Sequence, residues 1–329
     1  LWGLSQGFGG IAGSVMASVI ATSYNWRKPF EILAIVGFSF IVLYFFVKEP
    51  KKGASEPELS HLVNEGEGYN YVIQLDHLKG ILTKKSNKWL IIQGLFFNIT
   101  IGTLIWLPTL YISKITQEGY SSKTAIVASG FLFALLQLGG LSSIYFGYLG
   151  DKLQKRTHRG RALLTAISII AAVPLFVLMF MTPMHNLSIP DNGNSVQIFF
   201  ALIREIGTKP WILTMFLLAV GATAAQSANT PNWLALITDV NLPEHRATAF
   251  SIANLVSGIG RALGNFLIGI VLKFTSVSYG EPNNYIVAMI IFQVFLIPAA
   301  ISYIRFARRS GKDIRNLNSI LKKRARKGS

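Results

Sequence analysis

Long apolar runs separated by short polar connectors constrain this chain more than any other feature. The runs cover roughly residues 1–23, 31–47, 89–113, 122–149, 162–182, 210–237, 247–272 and 284–304. An apolar stretch of about 18 residues or more with few charges is long enough to cross a bilayer as a helix. Strand-period alternation is absent, which argues against a membrane barrel. The expected fold is therefore an all-α polytopic membrane protein with eight transmembrane helices. Composition agrees: charged residues are 14% of 329, against about 25% in an average soluble domain.

The formal net charge of +16 would suit a nucleic-acid binder, but its distribution points elsewhere. Eight spans put both ends of the chain on one side. Of the 31 Lys and Arg residues, 23 fall on the side of the C-terminal tail, 7 on the other, and Arg261 lies within a span. Cationic loops stay in the cytosol, so the tail and the 48–88 and 150–161 connections are expected there, in a multi-pass protein of the plasma membrane. The basic cluster after Arg305 is expected to meet anionic lipid, and no nucleic-acid partner is expected.

Catalytic and cofactor signals are weak. Cysteine is absent, which removes disulfides and thiolate metal sites. His61, His77, His158, His185 and His245 fall in connectors without metal-ligand spacing. Gly258 and Gly260 lie inside a span with no strand before them, which does not suit a nucleotide loop. No enzyme activity, cofactor or metal is expected.

The most informative connector is Gly147-Tyr-Leu-Gly-Asp151-Lys-Leu-Gln-Lys155-Arg156-Thr-His-Arg159-Gly-Arg161. It joins two apolar runs, so it must turn in water as a tight basic hairpin. Its pattern, G-x-L-G-D-K-x-x-K-R, resembles the cytosolic loop signature of the major facilitator superfamily of secondary transporters. The family's usual Gly after D-[RK]-x is Gln154 here. Matching this hairpin to the family's 8–9 loop makes the eight runs helices 5 to 12. N-W-R-K-P-F (25–30) then resembles the turn between helices 5 and 6, and L-P-E-H-R-A-T-A (242–249) the 10–11 loop.

The resemblance implies four segments: a remnant of the N-terminal bundle at 1–47, a cytosolic central loop at 48–88, a six-helix C-terminal bundle at 89–306 and a basic tail at 307–329. Helices 1 to 4 of the family are missing, and a chain opening on Leu1 reads as a fragment lacking helices needed for a complete path. The 10–11 segment is also similar to Spinster-like lysophospholipid and sphingolipid exporters. That group's H-x-x-G-D pattern is replaced here by Gly258-Ile-Gly-Arg261-Ala-Leu-Gly264-Asn265. The implied function is alternating-access transport of a small solute. The alternative is a membrane protein that does not transport, either a scaffold or receptor-like relative or a truncated one.

Candidate site residues follow from polarity at depth. Arg261 lies near the middle of its run, roughly 20 Å deep at 1.5 Å per residue. An arginine at a helix centre costs at least about 2.5–3.5 kcal/mol to insert, so it needs a partner or a wet cavity. Asn254, Gly258, Arg261 and Asn265 share one narrow helical face. No Asp or Glu lies deep in any run, so Arg261 is expected to meet carbonyls, an acid from outside the chain, or an anionic substrate group. Gln226, Asn229, Thr230 and Trp233 share a face beside Pro231, which lets their helix bend. Asn98 and Gln137 are single polar residues that can join the same cavity.

These residues predict a site for an anionic or zwitterionic organic solute, with room for a coupling ion. In the hairpin, Gly147, Asp151, Lys152, Lys155 and Arg156 are implied by the resemblance to form a charge-linked latch on one access state.

Overall fold

The computed structural model describes residues 2–48 and 75–327. Most of the expected central loop, 49–74, lies outside the described residues. Among the described residues the long apolar runs are helical. The first two helices are α1 (Trp2–Ser23) and α2 (Lys28–Tyr44), followed after the loop by a short α3 (Leu75–Thr83). Among the described residues, six helical stretches are long and apolar enough to cross a membrane: Lys85–Gln117, Ser122–Arg156, Gly160–Met181, Pro210–Val240, Pro243–Ser278 and Asn283–Arg324.

The first two expected spans are not among those six. Helix α2 has 17 residues, about 26 Å at 1.5 Å per residue, just short of a hydrocarbon core of about 30 Å. Helix α1 is diluted by glycine and serine.

Proline divides the spans at a fixed distance. Its ring clashes with the carbonyl four residues earlier and it donates no hydrogen bond. Span Lys85–Gln117 therefore splits into α4 (Lys85–Leu104) and α5 (Leu107–Gln117), and Leu104 stands four residues before Pro108. The fourth of the six splits into α10 (Pro210–Ser227) and α11 (Asn229–Val240), with Ser227 four before Pro231. The last splits into α13 (Asn283–Gln293) and α14 (Leu296–Lys327), the gap at Val294 lying four before Pro298. Pro174 sits within α8 (Gly160–Met181) without dividing it.

A different interruption lies in Ser122–Arg156. There α6 (Ser122–Leu136) tightens into a 3₁₀ turn at Gln137–Ser142 and resumes as α7 (Ser143–Arg156).

Each gap leaves carbonyls without helical donors, and at membrane depth these must find protein partners. Thr223 Oγ1 lies 2.7 Å from the Leu136 carbonyl, Thr100 Oγ1 donates to the Phe292 carbonyl at 2.9 Å, and Asn232 Nδ2 donates to the Ala228 carbonyl at 2.9 Å. A hydroxyl or amide therefore stands at three of the four interruptions.

Two apolar cores hold the bundle. One, toward the end opposite the hairpin, gathers Leu110, Tyr111, Phe176, Phe180, Ile212, Met215, Met289 and Phe292. The other, toward the hairpin end, gathers Leu90, Ala166, Ile169, Leu236, Tyr303 and Phe306. Helix α4 packs against α12 (Pro243–Ser278) through glycine. A Cβ on Gly264 would meet the Ile99 carbonyl oxygen at 2.0 Å, and one on Gly102 the Arg261 carbonyl oxygen at 2.2 Å. Such close backbone approach replaces the hydrophobic effect as the source of helix association in lipid.

Helix α1 docks on α6 and the 3₁₀ turn. Gly9 and Gly13 have open space beside them and Ala17 is exposed. The packing goes through Gly7, Gly10 and the buried Ser18. Ser14 and Ser18 return their hydroxyls to their own helix, so small polar residues here behave as compact packing surfaces.

The two ends are closed by polar contacts. At the end opposite the hairpin, the amphipathic helix α9 (Ser195–Thr208) starts in an Asn194/Gln197 capping box. It buries Ile198 and Leu202 against the bundle and leaves Val196 and Phe200 exposed. Lys114, buried, donates to the Phe180 and Thr182 carbonyls at 2.8 and 2.7 Å, capping the C-terminal end of α8. Hydrogen bonds from Ser121 hold the nearby Asp191 carboxyl below its usual range.

At the hairpin end, α14 runs unbroken past the expected start of the tail at 307. Its later turns bury Ile314, Leu317 and Leu321, and Arg324 reaches the buried Glu244 at 2.8 Å. The lipid-facing tail expected there is thus a helix with one face spent on the protein. Its other face presents Arg308, Arg309, Lys312, Arg315, Lys322 and Lys323. Burial lowers the Lys84 ammonium from its usual range, partly opposed by the charge of Asp313.

Candidate functional site

Where the two cores meet, four broken or closely packed stretches leave a cavity of about 360 Å³. Its walls come from α4, the 3₁₀ turn, the α10–α11 break and the middle of α12, with Gln6 and Gly7 of α1 at one side. That volume lies within the range of small-molecule sites. Helical backbone is interrupted at two of these walls. Such breaks at depth are tolerated where they line a cavity, and they mark solute sites in transporters built from discontinuous helices.

Of the seven residues singled out for substrate, six line this cavity: Asn98, Gln137, Gln226, Asn229, Asn254 and Arg261. Asn265 does not. Its side-chain oxygen accepts from Trp106 Nε1 at 2.7 Å, so it ties α12 to the residue beside the α4–α5 break. The helical-face argument placed Asn265 correctly around α12, but one turn too far along it.

Arg261 stands at the midpoint of a 36-residue helix. Its Nη2 donates to Asn98 Oδ1 at 3.1 Å, and Asn98 Nδ2 donates to the Gly94 carbonyl at 2.9 Å. The Asn98 amide is thus fixed by its own helix and orients the guanidinium. Among the described residues no carboxylate pairs with Arg261, and none lines the cavity. An arginine has five N–H donors; one is assigned here.

A second network lies behind the first. Gln93 Nε2 donates to Asn229 Oδ1 at 2.9 Å and Tyr303 OH donates to the same oxygen at 2.7 Å. Asn229 therefore acts as a junction among α4, α11 and α14. Sequence reading missed Gln93, Ser257 and Tyr303. Gln93 sits about two helical turns inside α4, and the signal available was an amide in a largely apolar run. Three buried side-chain atoms at the cavity have no partner: Gln93 Oε1, Gln226 Nε2 and Ser257 Oγ.

The hairpin residues divide. Arg161 forks between Asp151, at 2.7 Å, and Asp239, and Gln154 Nε2 donates to Asp239 at 3.1 Å. Arg161 and Asp239, outside the set named for the latch, are the centre of this ion-pair cluster. Gln154, where the family pattern has Gly, belongs to the same cluster. Gly150, beside Asp151, lets Asn232 approach: a Cβ there would meet Asn232 Oδ1 at 1.9 Å. Gly147 lies against Pro231. Lys152, Lys155 and Arg156 are exposed and form no ion pair with a described residue.

Comparison with known proteins decides the family. The model of the Major Facilitator Superfamily matches residues 1–202. The chain belongs to that superfamily. Among solved structures, it is similar to a bacterial homologue of the human lysosomal transporter Spinster, in an inward-facing and unoccupied conformation. The two share 18% identity with a TM-score of 0.53, over 93% of this chain and 69% of that one. At that identity the likeness is one of fold. No curated protein matches the sequence. The superfamily consists of membrane transporters, and the chain is a multi-pass member of it.

Proposed function

We propose that the protein is a secondary transporter that moves a small anionic or zwitterionic organic solute by alternating access. Its cavity is the substrate site, and its basic hairpin and C-terminal helix lie in the cytosol. One observation carries the reading: a polar cavity at mid-depth whose single charge among the described residues, Arg261, has none of their acids beside it. Such a charge is costly unless something compensates it, and an anionic substrate group supplies that compensation transiently. The polar side chains around it, Asn98, Gln137, Gln226, Asn229 and Asn254, supply orientation.

The Arg161 cluster serves as the latch. It ties the start of α8 to the end of α11 and to Asp151 on α7, so three helix ends move together or not at all. Alternating access needs such linkage, because a transporter open at both ends dissipates its gradient.

The test is uptake by the purified protein in liposomes. Saturable, stereoselective flux of at least one anionic or zwitterionic solute, lost in Arg261→Ala, is expected. Absence of saturable flux across a broad solute panel overturns the reading and favours a scaffold or receptor-like role.

A further inference from the structure

The C-terminal part of α14 has two faces of opposite character. Arg308, Arg309, Lys312, Arg315, Lys322 and Lys323 are exposed, and at about 100° per residue they fall within an arc of about 140°. Ile314, Leu317 and Leu321, all buried, lie on the opposite side. We infer that this basic face is the docking surface for the acidic stretch 56–67 of the connection between α2 and α3. Two distant parts of the chain are thereby held together by charge.

Complementary charge is the first ground. Glu56, Glu58, Glu65 and Glu67 are four of the chain's 15 acidic residues, and no Lys or Arg occurs between Lys52 and Lys79. On α14, Lys312 has like-charged neighbours three or four residues away at Arg308, Arg309 and Arg315. Such pairs destabilise a helix by themselves, and an anionic segment laid against them relieves the repulsion.

Position is the second ground. The connection returns beside α14: Gly80 and Ile81 of α3 share a crevice of about 300 Å³ with Asn316, Leu317 and Ile320. Glu67 stands eight residues before Leu75 and Glu56 nineteen, a reach of up to about 26 and 63 Å when extended. The basic face from Arg308 to Lys323 runs about 22 Å along the helix. The acids can reach all of it, and so short a tether keeps them at a high effective concentration.

A bilayer surface is the rival anionic partner. Helices that lie on one insert their apolar face, and that face of α14 is spent on the bundle. Ser310 Oγ donates to the His158 carbonyl at 3.1 Å, Ser86 Oγ donates to Asp313, and Arg324 meets Glu244 at 2.8 Å. All three partners stand at the hairpin end of the bundle, so the opposite, basic face looks away from it.

The chain has no cysteine, so spin labels at Ser60→Cys and Ser319→Cys, the latter exposed on α14, report one distance in the full chain. The distance is measured in nanodiscs of phosphatidylcholine, with and without phosphatidylglycerol. A narrow distribution is expected, the same in both lipids. It should broaden about twofold or more when ionic strength rises from about 0.05 to about 0.5 M, which shortens the screening length about threefold. Glu56→Gln, Glu58→Gln, Glu65→Gln and Glu67→Gln together should broaden it equally at low salt. Replacing the same four by Lys should also broaden it, and adding Arg308→Glu, Arg309→Glu, Lys312→Glu and Arg315→Glu should restore it.

The Gln variant alters no residue of a described helix, so it tests the docking even if the α14 variant fails to fold. A broad distribution in the parent, or one that salt and the Gln variant leave unchanged, overturns the inference. So does a narrow distribution that phosphatidylglycerol abolishes, because the bilayer is then the occupant of the basic face.

Discussion

Arg161 and Arg261 are the same side chain in two different kinds of position. Arg161 sits at the hairpin end, only 13% exposed, with its guanidinium shared between Asp151 and Asp239. Arg261 sits in the middle of a span, exposed to the cavity, with one neutral amide for a partner. A charge already paired with acids in its own fold holds the protein together. A charge oriented by an amide and otherwise left open is poised for something that arrives later. On the proposed function, removing the first carries a structural cost and removing the second a functional one.

The sharpest way to break that contrast is Arg261→Ala. Uptake is expected to fall about 100-fold, the scale of one charge-assisted hydrogen bond or more, while the melting temperature of the purified protein stays within about 2 °C. Unchanged flux would falsify the assignment, and a collapse of folding would make Arg261 a packing residue like its counterpart.

Arg161→Ala is expected to show the opposite pattern. It leaves Asp239 half-buried without its cation, and stability should fall by about 2–3 kcal/mol, read as a lower unfolding midpoint. If Arg161→Ala instead keeps its midpoint and loses transport as fully as Arg261→Ala, the two positions are not different in kind.

Glycine on α12 gives a control for the same helix. Gly264→Ala drives a methyl into the Ile99 carbonyl and should cost about 2 kcal/mol. Gly258→Ala meets open space and should change stability by less than about 0.5 kcal/mol. Equal effects at the two positions would mean that the α4–α12 contact is looser than described.

The smallest effect is expected from Asp151→Asn. Its carboxylate is exposed and Arg161 keeps Asp239, so stability should change by under about 1 kcal/mol. The expected signature is a shift between access states, measured as spin-label distances across the hairpin end, with substrate affinity altered less than about threefold. Identical distance distributions in variant and parent would remove Asp151 from the latch.

How much of this was legible depends on the distance over which each cause acts. The spans and their breaks are local. Pro108, Pro231 and Pro298 each interrupt a helix four residues upstream through a clash within one chain segment, and Pro231 was read as a bend on that ground. Polarity at depth is nearly local too, which is why Asn98, Gln137, Gln226, Asn229, Asn254 and Arg261 were found. The rest depends on which helices meet. Arg161 and Asp239 are joined only because α8 and α11 end side by side. Gln93 is at the cavity only because α4 crosses α12 at glycines. Neither crossing can be read from periodicity along one helix. The C-terminal residues misled for a related reason: their basic composition suggests a free tail, while Ile314, Leu317 and Leu321, spaced for one helical face, direct them onto the bundle.

That last helix has a further consequence. Helix α14 runs 32 residues, about 48 Å at 1.5 Å per residue, with its first half among the spans and its far end held by Glu244. A rod pinned in this way is a pointer. A tilt of the bundle by about 5° displaces its far end by about 4 Å over that length. A fluorophore on the exposed Lys322 or Lys323 therefore magnifies motions that are barely resolvable at the cavity. The end of the chain is the natural place to attach a gauge.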